Sequence, residues 1–178
     1  MHKALMLDHE TLSLEPNAFL LQIGVGMVDL DTGAVLFPPT NFYLRDAEQV
    51  GRHVDPGTVR WWQQQDRGVA ASVFTPVLGT TLSVAQLWEK FVELAPDTVW
   101  AWPSSFDLVQ QRDLFGRKTP WSRHAQRCCF SLASELDPRK ELQPPPNNMH
   151  HNAAADVDWQ LRYLLALQPR LRAAREFK

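Results

Sequence analysis

Three runs of strand-forming residues lie within the first 44 positions, and this feature constrains the fold more than any other. Residues 4–7 form a short apolar run, and residues 20–28 are rich in β-branched side chains. An Asp-Leu-Asp-Thr-Gly turn signal follows, and residues 34–44 continue as a third run that Pro38 and Pro39 interrupt. Because a short turn joins strands in a hairpin, the three strands are predicted to be antiparallel.

The rest of the chain alternates between helix and strand patterns. Helices are predicted to begin at Pro56, at Ser83 as an N-cap, and at Asn152; the last should reach about Leu167. The remaining predictions are a helix over 104–116 and strands over 98–102 and 127–132. This order predicts an α/β fold, with a mixed five-stranded sheet of three antiparallel and then parallel strands, flanked by helices. A length of 178 residues predicts one domain, residues 1–178.

Composition narrows the function classes. The formal net charge is −2, so the chain lacks the basic footprint of a protein that holds nucleic acid mainly by nonspecific charge. The two cysteines, Cys128 and Cys129, are adjacent; they are predicted to be buried strand residues, which is typical of a reducing compartment. No segment approaches the roughly 20 apolar residues of a membrane span, and the N-terminus has too short an apolar run for a signal peptide. We therefore expect a cytoplasmic protein with no membrane association.

Four acidic residues lie near strand ends or helix starts, where α/β folds commonly place catalytic residues. Asp8 and Glu10 are two positions apart at the end of the first strand, so both should project to one face. Asp107 follows a buried strand near the start of a helix, and Asp156 lies in the first turn of the last helix. His151 lies on the loop before that helix and can reach the same site from another direction. Each feature alone has an ordinary explanation, as a solvated acid, a dipole-complementary acid or a capped surface helix.

Taken in order, these motifs resemble the DEDD exonuclease superfamily in its histidine-containing branch. The motifs that support the resemblance are Asp8-x-Glu10, then Asp107, and then a His-x-Ala-x-x-Asp motif. The last motif consists of His151, Ala153 and Asp156. His150 precedes His151, and only the spacing selects the second histidine. The segments TVRWWQQQ and VWAWPSSFD further resemble a small bacterial and phage exoribonuclease-like subgroup. The resemblance covers nearly the whole chain and implies a ribonuclease H-like fold.

The same resemblance implies a reaction. Two divalent cations, Mg²⁺ or Mn²⁺, would be bound by four carboxylates, and hard oxygen ligands suit such ions. His151 would be the general base that takes a proton from the attacking water. The other catalytic residues would be the metal ligands, Asp8, Glu10, Asp107 and Asp156. The implied activity is 3′–5′ exonuclease digestion of a single-stranded 3′ end, with RNA favoured over DNA. The resemblance also implies a homodimer.

Candidate substrate-binding residues lie beside these motifs. Thr11 would lie near the terminal sugar, and Leu12 would pack against the last base. On a helix, Trp61 and Trp62 are about 100° apart, so one should be a core anchor and the other a partly exposed neighbour that can stack on a base. Phe106 would support the backbone under Asp107. Two alternatives stay open: an exonuclease that acts on DNA, and a catalytically inactive nuclease-like domain that binds nucleic acid.

Overall fold

The computed structural model describes residues 1–176, so the last two residues of the predicted domain, 177 and 178, lie outside the described part. The strands are β1 Lys3–Thr11, β2 Leu20–Asp29, β3 Val35–Leu44, β4 Thr81–Leu82, β5 Thr98–Ala101 and β6 Gln126–Cys128. The helices are α1 Pro56–Gln63, α2 Arg67–Phe74, α3 Val84–Leu94, α4 Ser104–Leu114, α5 Cys129–Leu136 and α6 Ala153–Glu176. None of the helices among these residues combines the length and hydropathy that crossing a membrane requires.

The sheet is mixed, with the strand order β4-β3-β2-β1-β5-β6. The strands β1, β2 and β3 are antiparallel, and β5 and β6 continue from β1 in parallel. This confirms the predicted arrangement of three antiparallel strands followed by parallel ones. The sheet has six strands where the sequence predicted five, because the two residues of β4 pair in parallel with the end of β3. A strand of two residues carries no periodicity that a sequence pattern could reveal.

The prolines of β3 explain how an interrupted run still joins the sheet. Register with β2 shifts between the pairs Val25↔Thr40 and Met27↔Phe37, and Pro38 and Pro39 lie in that interval. Proline has no N–H to donate to the ladder, so an irregular pairing is the arrangement that tolerates it.

The predicted helices are found, and two helices were missed. Ser83 caps α3 with a capping box, and Asp55 caps α1 as Pro56 enters its first turn. The helices α2 and α5 were not predicted. The strand assignment of the cysteines was right for Cys128, where β6 ends, and wrong for Cys129, which begins α5. The burial predicted for both is found only at Cys129, because Cys128 is partly exposed.

The last helix extends beyond its predicted end near Leu167 to Glu176, with Pro169 inside it. A proline there removes one helical hydrogen bond. The Arg170 guanidinium, just after it, donates to the carbonyl of Leu136 at 2.7 Å and to Asp137 at 2.9 Å. These contacts hold the final turns against α5.

Helices pack on both faces of the sheet. Alternate residues of β1 divide between the two apolar layers. Leu5 and Leu7 pack with residues of α3 and α4, whereas Ala4 and Met6 pack with residues of α6. The end of β1 therefore lies between α4 and α6, and a residue's position in the strand decides which of the two helices it faces.

Two glycines of β2 allow α6 to approach the sheet closely. A Cβ at Gly24 would overlap the backbone carbonyl of Ala153, the first residue of α6. A Cβ at Gly26 would lie 2.7 Å from a side-chain methyl of Val157. The glycines therefore set the distance between α6 and the sheet, and with it the position of Asp156.

We expect Gly24→Ala to lower the free energy of unfolding by about 1–3 kcal/mol, the usual cost of overpacking a core. The obstruction is rigid backbone, so α6 must move away from β2 and carry Asp156 with it. Gly26→Ala is the matched control, because there the obstruction is a side chain that can turn. Denaturant unfolding measures both variants, and an equal or greater loss in Gly26→Ala would contradict this account.

Candidate active site

Three carboxylates converge at the C-terminal end of β1. Asp8 and Glu10 project toward the α6 side, and Asp156 comes from the first turn of α6. One oxygen from each of the three lies within 4.8 Å of the others. Asp8 and Glu10 share one strand face, as predicted, and both side chains thus reach the start of α6, which begins 143 residues after Glu10.

Side chains of the neighbouring strands fix the start of α6. The amide oxygen of Gln22 on β2 accepts from the backbone N–H of Ala153 at 3.1 Å. The amide oxygen of Asn41 on β3 accepts from that of Ala154 at 2.6 Å. Asn152 accepts from Ala155 at 3.3 Å, as expected of its predicted N-cap role. With its free N–H groups bound by the sheet, this end of the helix holds Asp156 in a defined place.

Asp107 reaches the site from the opposite layer. It lies in the first turn of α4 and is 2% exposed. One carboxylate oxygen, Oδ1, accepts from the backbone N–H of His9 at 3.0 Å. The other, Oδ2, is buried and has no hydrogen-bond partner among the described residues. Asp107 lines the same groove as the other three acids, with one oxygen still to be satisfied.

Burial, joined at Asp8 and Glu10 by repulsion from neighbouring acids, makes three of the carboxyls, Asp8, Glu10 and Asp107, hard to ionise without a cation. Burial, followed by the charges of Asp107, Glu10 and Asp156, holds the pKa of Asp8 well above its usual range. Burial raises the pKa of Glu10 to about 8, with further contributions from Asp156 and Asp107. Burial also raises the pKa of Asp107, against the lowering effect of His9. Oxygen-only ligands with this need for positive charge fit divalent cations such as Mg²⁺ or Mn²⁺.

This cluster predicts that the metal-free protein loses stability as pH rises. A carboxyl whose pKa is raised in the folded state keeps its proton there when the unfolded chain has lost it. Its contribution therefore declines from the unfolded pKa upward, which for Glu10 means from about 4.5 to about 8.

The slope should approach about 1.4 kcal/mol per pH unit for each such group. Denaturant melts in a chelator between pH 5 and 8 measure this slope. Glu10→Gln should flatten it and millimolar Mn²⁺ should suppress it; a flat profile in the unchanged, metal-free protein would contradict the prediction.

The two histidines lie in the turn before α6, as predicted for His151. The backbone N–H of His151 donates to Asp156 at 2.8 Å, and its φ is +68°. Its ring lies edge-on to Trp61, with ring centroids 4.8 Å apart, and stacks on His150 at 4.0 Å. Burial, then the neighbouring His150, lowers the pKa of His151. His151 can therefore be a neutral base near neutral pH.

Two residues of the site, Asn147 and Gln160, were not predicted from the sequence, and a third, His150, was considered only as the alternative to His151. His150 Nδ1 lies 3.0 Å from Asp156 Oδ1, and the Asn147 amide donates to the same oxygen at 3.1 Å. The Gln160 amide donates to Asp8 at 2.8 Å. Gln160 follows Asp156 by four positions, so helical spacing alone could have placed it on the same face. The proline-rich loop before α6 gives no such periodicity.

The candidate substrate residues divide among different environments. The acids line a groove of about 470 Å³, and a second cavity of about 440 Å³ adjoins it. Half-buried Phe106 lines both cavities, and Thr11 and Trp61 line the second. Trp62 also borders the second cavity, but it is only 2% exposed and its indole donates to the carbonyl of Thr11 at 2.9 Å. Leu12 packs against the small apolar cluster that contains Trp62.

Two solved structures share this fold. The chain is similar to S. pombe Pop2p in its Mg²⁺- and Mn²⁺-bound form, with 11% identity and a TM-score of 0.55 over 95% of this chain and 83% of that one. It is also similar to cell-death related nuclease 4 (CRN-4), with 15% identity and a TM-score of 0.50 over 96% of this chain and 64% of that one. The chain thus spans less than two thirds of CRN-4. No curated protein sequence matches it.

The family comparison is more specific. The sequence profile of the 3′–5′ exoribonuclease Rv2179c-like domain matches residues 3–168, which include every predicted catalytic residue. The match agrees with the ribonuclease H-like arrangement of the sheet and with the order of the acidic motifs. The chain therefore belongs to the Rv2179c-like family of 3′–5′ exoribonuclease domains.

Proposed function

We propose that residues 1–178 form one exonuclease domain that removes nucleoside monophosphates from a 3′ end, using two divalent cations and His151 as general base. The observation that carries the proposal is the convergence of Asp8, Glu10 and Asp156 within 4.8 Å, in a groove that Asp107 also lines. Four carboxylates around one groove offer enough ligands for two cations.

The chain's own residues suggest the course of the reaction. Asp8, Glu10 and Asp156, whose carboxylates lie close together, would hold the cations, and Asp107 would supply a further ligand from the other side of the groove. Bound cations would supply Lewis acidity to the phosphate and lower the pKa of the attacking water. An imidazole nitrogen of His151 would take the water proton as the new oxygen–phosphorus bond forms. The phosphorus–O3′ bond breaks, and the shortened strand keeps a 3′-hydroxyl after protonation by solvent.

RNA is the proposed substrate because of the family to which the chain belongs. The test is digestion of 3′-labelled and 5′-labelled RNA and DNA strands in Mg²⁺ or Mn²⁺, with Asp8→Ala as the control. Release of mononucleotides from the 3′ end of RNA supports the proposal. Faster digestion of DNA would favour the alternative substrate. Internal cuts, or activity that survives in Asp8→Ala, would overturn the mechanism, and binding without cleavage would indicate an inactive domain.

We further propose that Trp61 stacks on a base of the substrate. Trp61 is 40% exposed and lies beside His151, whereas Trp62 is buried. Trp61→Ala should raise KM about tenfold with little change in kcat, because base stacking contributes about 1–3 kcal/mol. Trp62→Ala should instead unfold at a lower temperature. Steady-state kinetics on a single-stranded 3′ end and thermal melts measure the pair, and an unchanged KM in Trp61→Ala would remove the stacking role.

The predicted homodimer and cytoplasmic location stay predictions. Sedimentation of the purified chain tests the first, and cell fractionation tests the second.

A further inference from the structure

His9 stands between Asp8 and Glu10 in sequence but faces the other side of the sheet. Residues of β1 alternate between the two layers, so His9 points toward α4 while its two neighbours point toward α6. The residue is 5% exposed, and its side chain has no exposed surface. A buried histidine needs hydrogen-bond partners, and the partners that His9 has suggest its role.

Each polar group of His9 that faces α4 has a partner on that helix. The backbone N–H and the ring Nδ1 lie 3.0 Å and 3.3 Å from the same atom, Oδ1 of Asp107. The ring Nε2 lies 3.0 Å from the side-chain amide of Gln111, one helical turn beyond Asp107 and fully buried. His9 therefore engages one oxygen of Asp107 twice, while Oδ2 has no partner among the described residues.

We propose that His9 is a positioning residue, which fixes the carboxylate plane of Asp107 so that Oδ2 is presented to a divalent cation. The inference rests on the proposed function, in which Asp107 is a cation ligand. It assigns a role to the middle residue of the Asp-x-Glu motif that neither the motif nor the spacing of the acids supplies.

Side-chain geometry explains why such a device is needed. The torsion that turns an aspartate carboxylate has a broad distribution rather than sharp rotamers. Asp107 comes from the layer opposite Asp156, so it depends on orientation to present an oxygen at the shared groove. An ionised carboxylate can only accept, so Nδ1 of His9 must carry the proton and donate. The other ring nitrogen then accepts, and a half-turn of the Gln111 amide brings its unpartnered Nε2 to that position.

Two amide substitutions separate positioning from simple space-filling. His9→Asn keeps a donor near the place of Nδ1, toward Asp107. His9→Gln is closer to histidine in volume and keeps a polar atom near the place of Nε2, toward Gln111. A positioning role predicts that asparagine restores function better than glutamine, whereas a packing role predicts the reverse order.

The decisive measurement is Mn²⁺ binding by calorimetry on the full chain, with thermal melts in a chelator to report folding. We expect the Mn²⁺ dissociation constant of His9→Gln to rise about tenfold, a usual cost of losing a residue that orients a metal ligand. His9→Asn should stay within about threefold of the unchanged protein. The apparent Mn²⁺ requirement of RNA digestion should follow the same order.

Asp107→Asn separates this inference from the proposed function. If Asp107→Asn binds Mn²⁺ as the unchanged protein does, then Asp107 is not a ligand and the proposed function itself is wrong in that part. If Asp107→Asn weakens binding but His9→Gln does not, or His9→Gln binds better than His9→Asn, then the positioning role of His9 is overturned and the proposed function stands. Weaker binding in both Asp107→Asn and His9→Gln, with His9→Asn close to the unchanged protein, supports the inference.

Discussion

Asp8→Asn is expected to lower turnover by about three orders of magnitude and, at the same time, to stabilise the metal-free protein. In the proposed mechanism Asp8 would be a ligand of the cations, whose stabilisation of the transition state is worth several kcal/mol, and each 1.36 kcal/mol is a tenfold change in rate. In the folded protein, burial of the Asp8 carboxyl and the charges of Asp107, Glu10 and Asp156 disfavour its ionised form and raise its pKa. A neutral amide of the same shape removes that repulsion.

Two measurements on one variant test both halves of this expectation. Single-turnover digestion of labelled RNA in Mn²⁺ reports the rate, and denaturant unfolding in a chelator at pH 8 reports the stability. Asp158→Asn is the matched control, since Asp158 lies on the same helix as Asp156 but is half exposed and pairs with Arg162 at 3.0 Å. Near-normal turnover in Asp8→Asn would refute the central place of this residue. A loss of metal-free stability would mean that repulsion among the acids is not the dominant interaction there.

His151→Ala is expected to lower kcat by about 10²–10⁴-fold while Mn²⁺ binding persists. That range is the usual contribution of a general base. The backbone N–H of His151, which donates to Asp156, survives the substitution, so the ligand geometry should survive as well. Loss of metal binding together with activity would mean that His151 acts on the metal site rather than on the water.

His150→Ala is the matched control for the neighbouring ring. His150 also contacts Asp156, at 3.0 Å, but its side chain is 69% exposed. Its removal should affect metal binding more than the proton-transfer step. The pH profiles separate the two roles: the rate of the unchanged enzyme should fall only below the ordinary histidine pKa of about 6.5, because burial lowers the pKa of His151. If His150→Ala lost as much kcat as His151→Ala, the choice of His151 over His150 as the general base, which rests on spacing, would be wrong.

Local patterns were sufficient wherever neighbouring residues determine the conformation. The turn signal before Gly33, the cap at Ser83 and the proline at 56 act within one or two turns of chain, and the elements they predicted are present. The patterns failed where distant pairing overrides them. The two residues of β4 form a strand only because they pair with Tyr43 and Leu44. Cys129, whose surroundings in the sequence predict a strand, instead begins a helix that packs against α6.

The candidate site shows the same division. The spacing of Asp8 and Glu10 placed both on one strand face, and the ordered motifs predicted Asp107, His151 and Asp156 as further site residues. Which of the paired tryptophans remains exposed could not follow from the sequence. Helical geometry separates Trp61 from Trp62 by about 100°, but only the position of Thr11, whose carbonyl binds the Trp62 indole, decides which one is buried.

By itself, the sequence determined the class of the fold, the family and the acids that meet at the end of β1, because these depend on residue types and on spacing along the chain. The tertiary structure alone decided how those acids are held. Gln22 and Asn41 accept hydrogen bonds from the first residues of α6, and Gly24 lets that helix approach the sheet. On the other face of β1, His9 donates a hydrogen bond to Asp107. Each of these contacts joins residues about 100 or more positions apart, and their register is set by sheet pairing and helix packing, which no local pattern records.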